Sequence, residues 1–129
     1  MSDARSNLVL LVEDEALVCD LLEEALRDSG FDVTVARDGS AAIVLLNRYK
    51  REVCGLITDI DLGSPMDGWS VANAARALKP GLPVFYMSGA SAGDWPAKGV
   101  ADSTMMTKPF PMARLMDVVK AQLRPGAAA

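Results

Sequence analysis

Histidine is missing altogether from the 129 residues of this sequence, so any mechanism that needs an imidazole must take it from a partner. The two cysteines, Cys19 and Cys54, show no CxxC spacing, and we interpret both as buried thiols of a reducing compartment. Positive charge is also scarce: 13 Lys and Arg face 17 Asp and Glu, which argues against a nucleic-acid partner. No apolar run approaches the ~18 residues of a membrane span, and the N-terminus carries no apolar leader. We therefore expect a soluble, cytoplasmic protein with neither a membrane nor a nucleic-acid partner.

What is present is the composition of one globular domain, with 50% hydrophobic and 23% charged residues. A chain of this length can bury roughly 65 to 70% of its unfolded surface around a single core. We predict an N-terminal arm over 1–7, one domain over 8–124 and a C-terminal tail over 125–129. On this division no output domain follows.

Short apolar runs alternate with longer amphipathic segments along the domain. The apolar runs predict five strands, at 8–12, 32–36, 53–59, 83–88 and 103–107. The amphipathic segments predict five helices, at 15–30, 39–50, 68–81, 90–99 and 111–126. The fourth helix is the weakest of these, because Pro96 disfavours helical geometry at Trp95.

This alternation predicts the fold class. Strands that are apolar on both faces suit a parallel sheet with helices on both sides. Right-handed crossovers leave few topologies, and the flavodoxin-like strand order 2-1-3-4-5 is the commonest at this length. We therefore predict an α/β, flavodoxin-like three-layer sandwich with a five-stranded parallel sheet and five helices.

Polar residues follow four of the predicted strands at their carboxyl ends, which is the edge where open α/β sheets bind ligands. They are Glu13 and Asp14 after the first strand, Asp59 and Asp61 after the third, Ser88 after the fourth and Lys108 after the fifth. Converging carboxylates repel one another by about 4 kcal/mol per pair at ~4 Å and an effective dielectric near 20, so the cluster needs a cation. Oxygen ligands select a hard ion such as Mg2+ or Mn2+. The lysine and the hydroxyl add groups suited to holding a phosphoryl group.

Taken singly, these residues have structural explanations. Asp14 could cap the following helix, Ser88 could be a turn or cap residue, and Lys108 could be a solvated surface lysine. Chance explains poorly why four strand ends present acid, acid, hydroxyl and amine on one edge, so we favour a functional site.

The sequence resembles the phosphoacceptor receiver domain of two-component response regulators over residues 8–124. Its motifs stand in the same order and spacing as in that family: LVEDE over 11–15, ARDGSAA over 36–42, ITDIDL over 57–62, MDG over 66–68, MSGAS over 87–91 and TKPF over 107–110. The resemblance implies a protein that accepts phosphate from a histidine kinase or a phosphotransfer protein. It would catalyse only its own phosphorylation and dephosphorylation, and would switch a protein–protein interaction.

The resemblance also implies roles for the acidic residues. Asp59 would be the phosphoacceptor and would ligate Mg2+. Asp14 would ligate the same ion directly, Glu13 would act through water, and Asp61 would contribute its backbone carbonyl.

The remaining site residues would hold the phosphoryl group itself. Ser88 would hydrogen-bond one phosphoryl oxygen and Lys108 would pair with another. A cis bond between Lys108 and Pro109 would aim the lysine inward.

Two places depart from the family pattern. Nine positions separate Asp59 from Gly68, one more than usual, and Gly63 stands where the family has proline. We therefore expect a reshaped loop after the third strand. Met105 occupies the position of the family's aromatic switch residue, so we expect repacking there, with Trp95 as an exposed anchor for a partner.

Two alternatives from other classes stay open. The string DIDLG over 59–63 also resembles the DxD motif of haloacid-dehalogenase-type phosphatases. A pseudo-receiver would keep the fold as a binding module without phosphorylation. Turnover of a phosphomonoester would reveal the first, and a failure to bind metal would reveal the second. A receiver of this kind could dock to a target, relay phosphate onward or act as a phosphate sink, and the sequence leaves all three open.

Overall fold

The computed structural model describes residues 7–63 and 65–123, so the predicted tail, and the predicted arm apart from Asn7, lie outside the described residues. The strands are β1 Leu8–Val12, β2 Asp32–Ala36, β3 Val53–Asp59, β4 Val84–Ser88 and β5 Thr104–Thr107. The helices are α1 Ala16–Asp28, α2 Gly39–Tyr49, α3 Gly68–Leu78, α4 Trp95–Lys98 and α5 Met112–Leu123, with a 3-10 turn over Ala92–Asp94 before α4. Each predicted strand lies within one residue of the observed one at either end.

The five strands form one parallel sheet in the order β2-β1-β3-β4-β5, which confirms the predicted fold class. The register aligns the strand ends: Val12 lies opposite Ala36 on one side and Thr58 on the other. Farther along the sheet, Ser88 lies opposite Thr107. Residues that follow these strands therefore meet at one edge.

The core lies on both faces of the sheet, as expected for a three-layer sandwich. Successive residues of β1 alternate between the two sides, so that Leu10 and Val12 pack in the layer with α2 and α3, while Val9 and Leu11 pack in the layer with α1 and α5. All four are fully buried. Burial of a side chain of this size contributes about 1.5 to 3 kcal/mol, which makes the central strands a rigid base for the loops above them.

Two helices begin at an aspartate whose side chain caps them. Asp38 accepts a hydrogen bond from the Ala41 N–H at 2.8 Å, and Asp67 accepts one from the Ser70 N–H at 2.9 Å. Such caps contribute about 1 kcal/mol each. They fix the chain where it leaves β2 and where it enters α3.

The fourth helix differs from the prediction. It is reduced to four residues, and Trp95 has helical geometry with φ -55 and ψ -45 despite the following Pro96. A proline is tolerated in the first turn of a helix because no intrahelical N–H is needed there. The expectation that Trp95 is an exposed anchor is wrong: the side chain is half-buried, and Nε1 donates to Ser103 Oγ at 2.9 Å.

The prediction of two buried thiols holds for Cys19 alone, since Cys54 is half-buried. Cys54 is only the second residue of β3 and packs at the margin of the core layer. Among the described residues, no helix has the length and hydropathy required to cross a membrane.

Candidate acidic site at the carboxyl edge of the sheet

Three carboxylates meet where β1 and β3 end side by side. Glu13 and Asp14 directly follow β1, Asp59 is the last residue of β3, and one oxygen of each lies within 4.8 Å of the others. Glu13 and Asp59 are buried, whereas Asp14 is partly exposed. The sequence prediction that these three residues converge is thus matched by their geometry.

Asp14 does not cap α1, so this structural explanation for the residue fails. The N-cap position belongs to Glu15, whose own side chain makes no capping hydrogen bond. The Glu15 N–H instead donates a hydrogen bond to Glu13 Oε2, at 3.2 Å. The carboxylate of Asp14 instead lies within 4.8 Å of those of Glu13 and Asp59.

Glu13 is buried more completely than is usual for a carboxylate, and one of its oxygens is unpaired among the described residues. It is fully buried, and its Oε1 has no hydrogen-bond partner in the described part of the chain, although buried polar atoms are nearly always paired. The nearest positive charge, Lys108 Nζ, lies 4.0 Å from Oε1. Burial raises the pKa of Glu13 to about 7, because the charged form is deprived of water.

Asp59 is held between opposing influences. Burial raises the pKa of its carboxyl group, while Lys108 and the backbone N–H of Asp61 lower it, and the net shift is upward. Lys108 Nζ lies 3.4 Å from Oδ2. The Asp59 carboxylate is therefore buried, with the Lys108 ammonium group on one side and the carboxylates of Glu13 and Asp14 within 4.8 Å.

The residues present fit a hard divalent cation. Three converging carboxylates supply oxygen donors alone, and the unpaired Glu13 Oε1 marks a place where positive charge is missing. Mg2+ and Mn2+ prefer such oxygen ligands. A cation would also offset the burial and the neighbouring negative charge that raise the pKa values of Glu13 and Asp59.

Lys108 is not a solvated surface lysine. About one third of its side chain is exposed, and its ammonium group lies between Glu13 and Asp59. Its backbone N–H donates to the Ser88 carbonyl at 2.9 Å, which fixes the start of the loop after β5. The Lys108–Pro109 peptide bond is cis, as the resemblance implied.

Ser88 lies fully buried at the end of β4 and has a local partner. Its Oγ accepts a hydrogen bond from the Ser91 N–H at 3.0 Å, so the turn explanation does describe this conformation. A serine hydroxyl that accepts one hydrogen bond still has its own hydrogen to donate.

Asp61 lies outside the carboxylate cluster. Its exposed side chain accepts a hydrogen bond from the Ser91 hydroxyl, with Oγ and Oδ1 3.2 Å apart. This contact joins the loop after β3 to the loop after β4. A role for the Asp61 carbonyl in metal binding stays a prediction.

Two further residues shape the site, and the sequence interpretation missed the first. Arg37, just beyond β2, donates to the backbone carbonyls of Glu13 and Asp14. Gly68, the first residue of α3, packs directly on the backbone of Asp59. The sequence places Arg37 directly after the second predicted strand, but residue spacing does not predict which acceptors so long a side chain reaches.

The resemblance to receiver domains implies a flavodoxin-like domain in which a buried aspartate, an acidic pair and a lysine meet at the carboxyl edge of the sheet, and this arrangement is present here. A family model for the response regulator receiver domain matches residues 9–120. This chain therefore belongs to the receiver-domain family of two-component response regulators.

Individual relatives agree with this assignment. The transcriptional regulatory protein PrrA of Mycobacterium leprae is 39% identical over 119 residues, which cover 90% of this chain and 49% of PrrA. A response regulator receiver protein from Sinorhizobium medicae superposes with a TM-score of 0.87 at 37% identity, over 96% of this chain and 99% of that one. The receiver domain of the sensor histidine kinase PA1611 from Pseudomonas aeruginosa, with a magnesium ion coordinated in its active site cleft, gives a TM-score of 0.77 at 26% identity, over 92% and 98% of the two chains.

The chain spans about half the length of the curated relatives it matches. The family assignment removes the basis of the haloacid-dehalogenase alternative. The DIDLG string lies at the end of the third strand of a receiver fold.

Proposed function

We propose that this chain is a phosphoacceptor receiver, in which Asp59 takes a phosphoryl group from a phosphohistidine on a histidine kinase or a phosphotransfer protein. The observation that carries the proposal is the setting of the Asp59 carboxylate, with Lys108 Nζ 3.4 Å away and the acid pair within 4.8 Å. The receiver unit extends over 8–124 in this proposal.

The chemistry needs little beyond positioning and charge. A carboxylate oxygen of Asp59 forms a bond to phosphorus as the P–N bond to the donor imidazole breaks, and the imidazole departs with the donor. The chain contains no histidine, so the donor must supply that ring. Phosphoryl transfer has a loose transition state, and its catalysis is therefore mostly orientation and electrostatic stabilisation.

Asp14 and Asp59 would hold Mg2+ (or Mn2+) directly, Glu13 through water and Asp61 through its backbone carbonyl. The bound ion would neutralise charge on the phosphoryl oxygens during transfer. The magnesium in the PA1611 receiver supports this choice of ion, as does the orphaned Glu13 Oε1.

Lys108 and Ser88 would then bind the phosphoryl group on Asp59 and move with it. The phosphoryl group adds about -1.5 to -2 charges and three acceptor oxygens. Lys108 Nζ pairs with one oxygen, and the Ser88 hydroxyl donates its hydrogen to another. Because Ser88 Oγ now accepts from the Ser91 N–H, a shift of Ser88 toward the phosphate changes the loop after β4, and with it the surface that a partner protein meets.

Phosphorylation by acetyl phosphate and Mg2+ tests the proposal without knowledge of the kinase. Intact-mass analysis should show one hydroxylamine-sensitive phosphoryl group on the wild-type chain and on Asp61→Asn, the matched control with an exposed carboxylate. Asp59→Asn should show none, and excess EDTA should abolish the signal.

Equal modification of Asp59→Asn and wild type would refute the assignment of the acceptor, and unchanged labelling in EDTA would refute the metal role. A wild-type chain that takes up neither phosphate nor metal would instead be a pseudo-receiver. If the wild-type chain is phosphorylated, the rates of phosphotransfer from a set of purified histidine kinases should identify its kinase, which should transfer phosphate far faster than the rest. Onward transfer of the phosphoryl group to a phosphotransfer protein would indicate a relay, and binding of a target protein by the phosphorylated chain would indicate docking. Phosphorylation by the kinase with neither of these would indicate a phosphate sink.

A further inference from the structure

The end of β2 is fastened to the loop that carries the acid pair. We propose that Arg37 is a positioning residue for the cation site, because its guanidinium group holds the backbone carbonyls of Glu13 and Asp14 and so sets where their carboxylates lie. The inference rests on the proposed function, since it concerns the same cation.

The hydrogen bonds form a continuous set between the two strand ends. The Glu13 N–H donates to the Ala36 carbonyl at 3.1 Å. Arg37 Nε donates to the Glu13 carbonyl at 3.1 Å, and Arg37 Nη2 donates to the Asp14 carbonyl at 2.7 Å. A planar guanidinium presents two donors at fixed separation and can span consecutive carbonyls, whereas a lysine ammonium acts as a single point.

Outside the loop over 13–15, the Ala36 carbonyl and Lys108 hold Glu13, whereas the Asp14 carbonyl is held by Arg37. The carboxylates of Glu13 and Asp14 lie beside that of Asp59 and are repelled by it, and α1 begins at Ala16 without a side-chain cap from Glu15. The contact from Glu13 Oε2 to the Glu15 N–H lies within the loop itself and ties it to nothing outside. Arg37 supplies a tie from a neighbouring strand.

Arg37 is itself well placed to act as a fixed point. Ala36 belongs to the sheet, and Asp38 is locked as the cap of α2. The arginine side chain is exposed and belongs to neither core layer. Its substitution should therefore disturb the loop and leave the fold intact.

The experiment compares Mn2+ affinity, measured by the electron paramagnetic resonance of free Mn2+, among Arg37→Gln, Arg37→Lys and the control Arg51→Gln. Arg51 is an exposed arginine just before β3, at the opposite edge of the sheet, so its variant has the same charge change. Loss of a group that orients metal ligands typically weakens binding 10- to 100-fold. We expect about 10-fold weaker binding for Arg37→Gln, weakened binding for Arg37→Lys despite its charge, and less than a twofold change for the control.

Amide exchange in metal-free protein supplies a readout that does not depend on the ion. Amides 13–15 should exchange faster in Arg37→Gln, while those of the central strands should not change. Arg37→Gln affinity within twofold of the control, or full recovery with Arg37→Lys, would overturn the inference. Wild-type protein that binds no Mn2+ would overturn the proposed function together with it, whereas intact binding in both Arg37 variants would overturn the inference alone.

Discussion

Substitution of Gly68 by alanine should damage the strand end that carries Asp59. A Cβ atom at Gly68 would collide with the carbonyl oxygen of Asp59, and would lie 2.8 Å from Ile60 Cα and 3.0 Å from the carbonyl carbon of Asp59. These are backbone atoms of two buried residues, the last of β3 and the one that follows it, so they cannot swing aside. The Gly68 N–H also donates to the Ile60 carbonyl at 2.9 Å, which keeps the two segments close.

The size of the effect follows from opposing contributions. Overpacking a rigid site costs about 1 to 3 kcal/mol, and contacts with backbone favour the upper end. Alanine in place of glycine recovers at most about 1 kcal/mol through helix propensity and the smaller entropy of the unfolded chain. We therefore expect Gly68→Ala to lower the free energy of unfolding by about 2 kcal/mol.

Urea unfolding followed by far-ultraviolet circular dichroism measures this change, with Gly93→Ala as the matched control. Gly93 lies in the 3-10 turn, and a Cβ there would meet nothing within 4 Å. The control should be unchanged or slightly more stable, because it gains the same unfolded-state term without the clash. Equal midpoints for the two variants would refute the packing argument, and the acetyl phosphate assay should show slower labelling of Gly68→Ala alone.

Two other predictions use groups outside that contact. Burial raises the pKa of Glu13 from 4.5 to about 7, so in EDTA the folded protein holds a proton that the unfolded chain has released between these values. The free energy of unfolding should therefore fall as the pH rises from about 4.5 to 7, by up to ~3 kcal/mol. Glu13→Gln should flatten this dependence in urea titrations, and equal slopes would contradict the assignment. Gly99→Ala would bring a Cβ against the Trp95 indole, 2.7 Å from Nε1, so we expect the hydrogen bond to Ser103 to break, at a cost of about 1 to 3 kcal/mol. The indole N–H resonance should shift in the nuclear magnetic resonance spectrum, and an unchanged resonance would exclude the displacement.

The strands could be predicted closely from the sequence, because a buried parallel strand must be apolar on both faces. LVLLV over 8–12 shows this directly, and the observed β1 has the same bounds. The meeting of Glu13, Asp14 and Asp59 followed from topology alone, since parallel strands in this order end at one edge. The fourth helix was harder, because a short segment held by Trp95 has no long apolar period to detect.

Hydrogen-bond partners at the edge depend on side-chain reach and on loop shape, which spacing does not encode. Arg37 shows this limit, because its long side chain reaches the carbonyls of two residues in the loop after β1. An equally exposed arginine at that position could have pointed into solvent without any change in the pattern of apolar residues. Sequence thus gives the residues that can reach the site, and the three-dimensional fold selects those that do.

Ser91 shows why the turn and the functional explanations of Ser88 need not compete. The Ser91 backbone N–H donates to Ser88 Oγ, while the Ser91 hydroxyl donates to Asp61 Oδ1. One residue thus ties the proposed phosphate-binding hydroxyl to the loop that follows the proposed acceptor. If Ser88 moves toward a phosphoryl oxygen, the first of these bonds stretches or draws Ser91 along, and the second couples that movement to Asp61 in the loop after β3. The turn role and the proposed phosphate-binding role of Ser88 are compatible, because one hydroxyl group can accept from the Ser91 N–H and donate its own hydrogen to a phosphoryl oxygen.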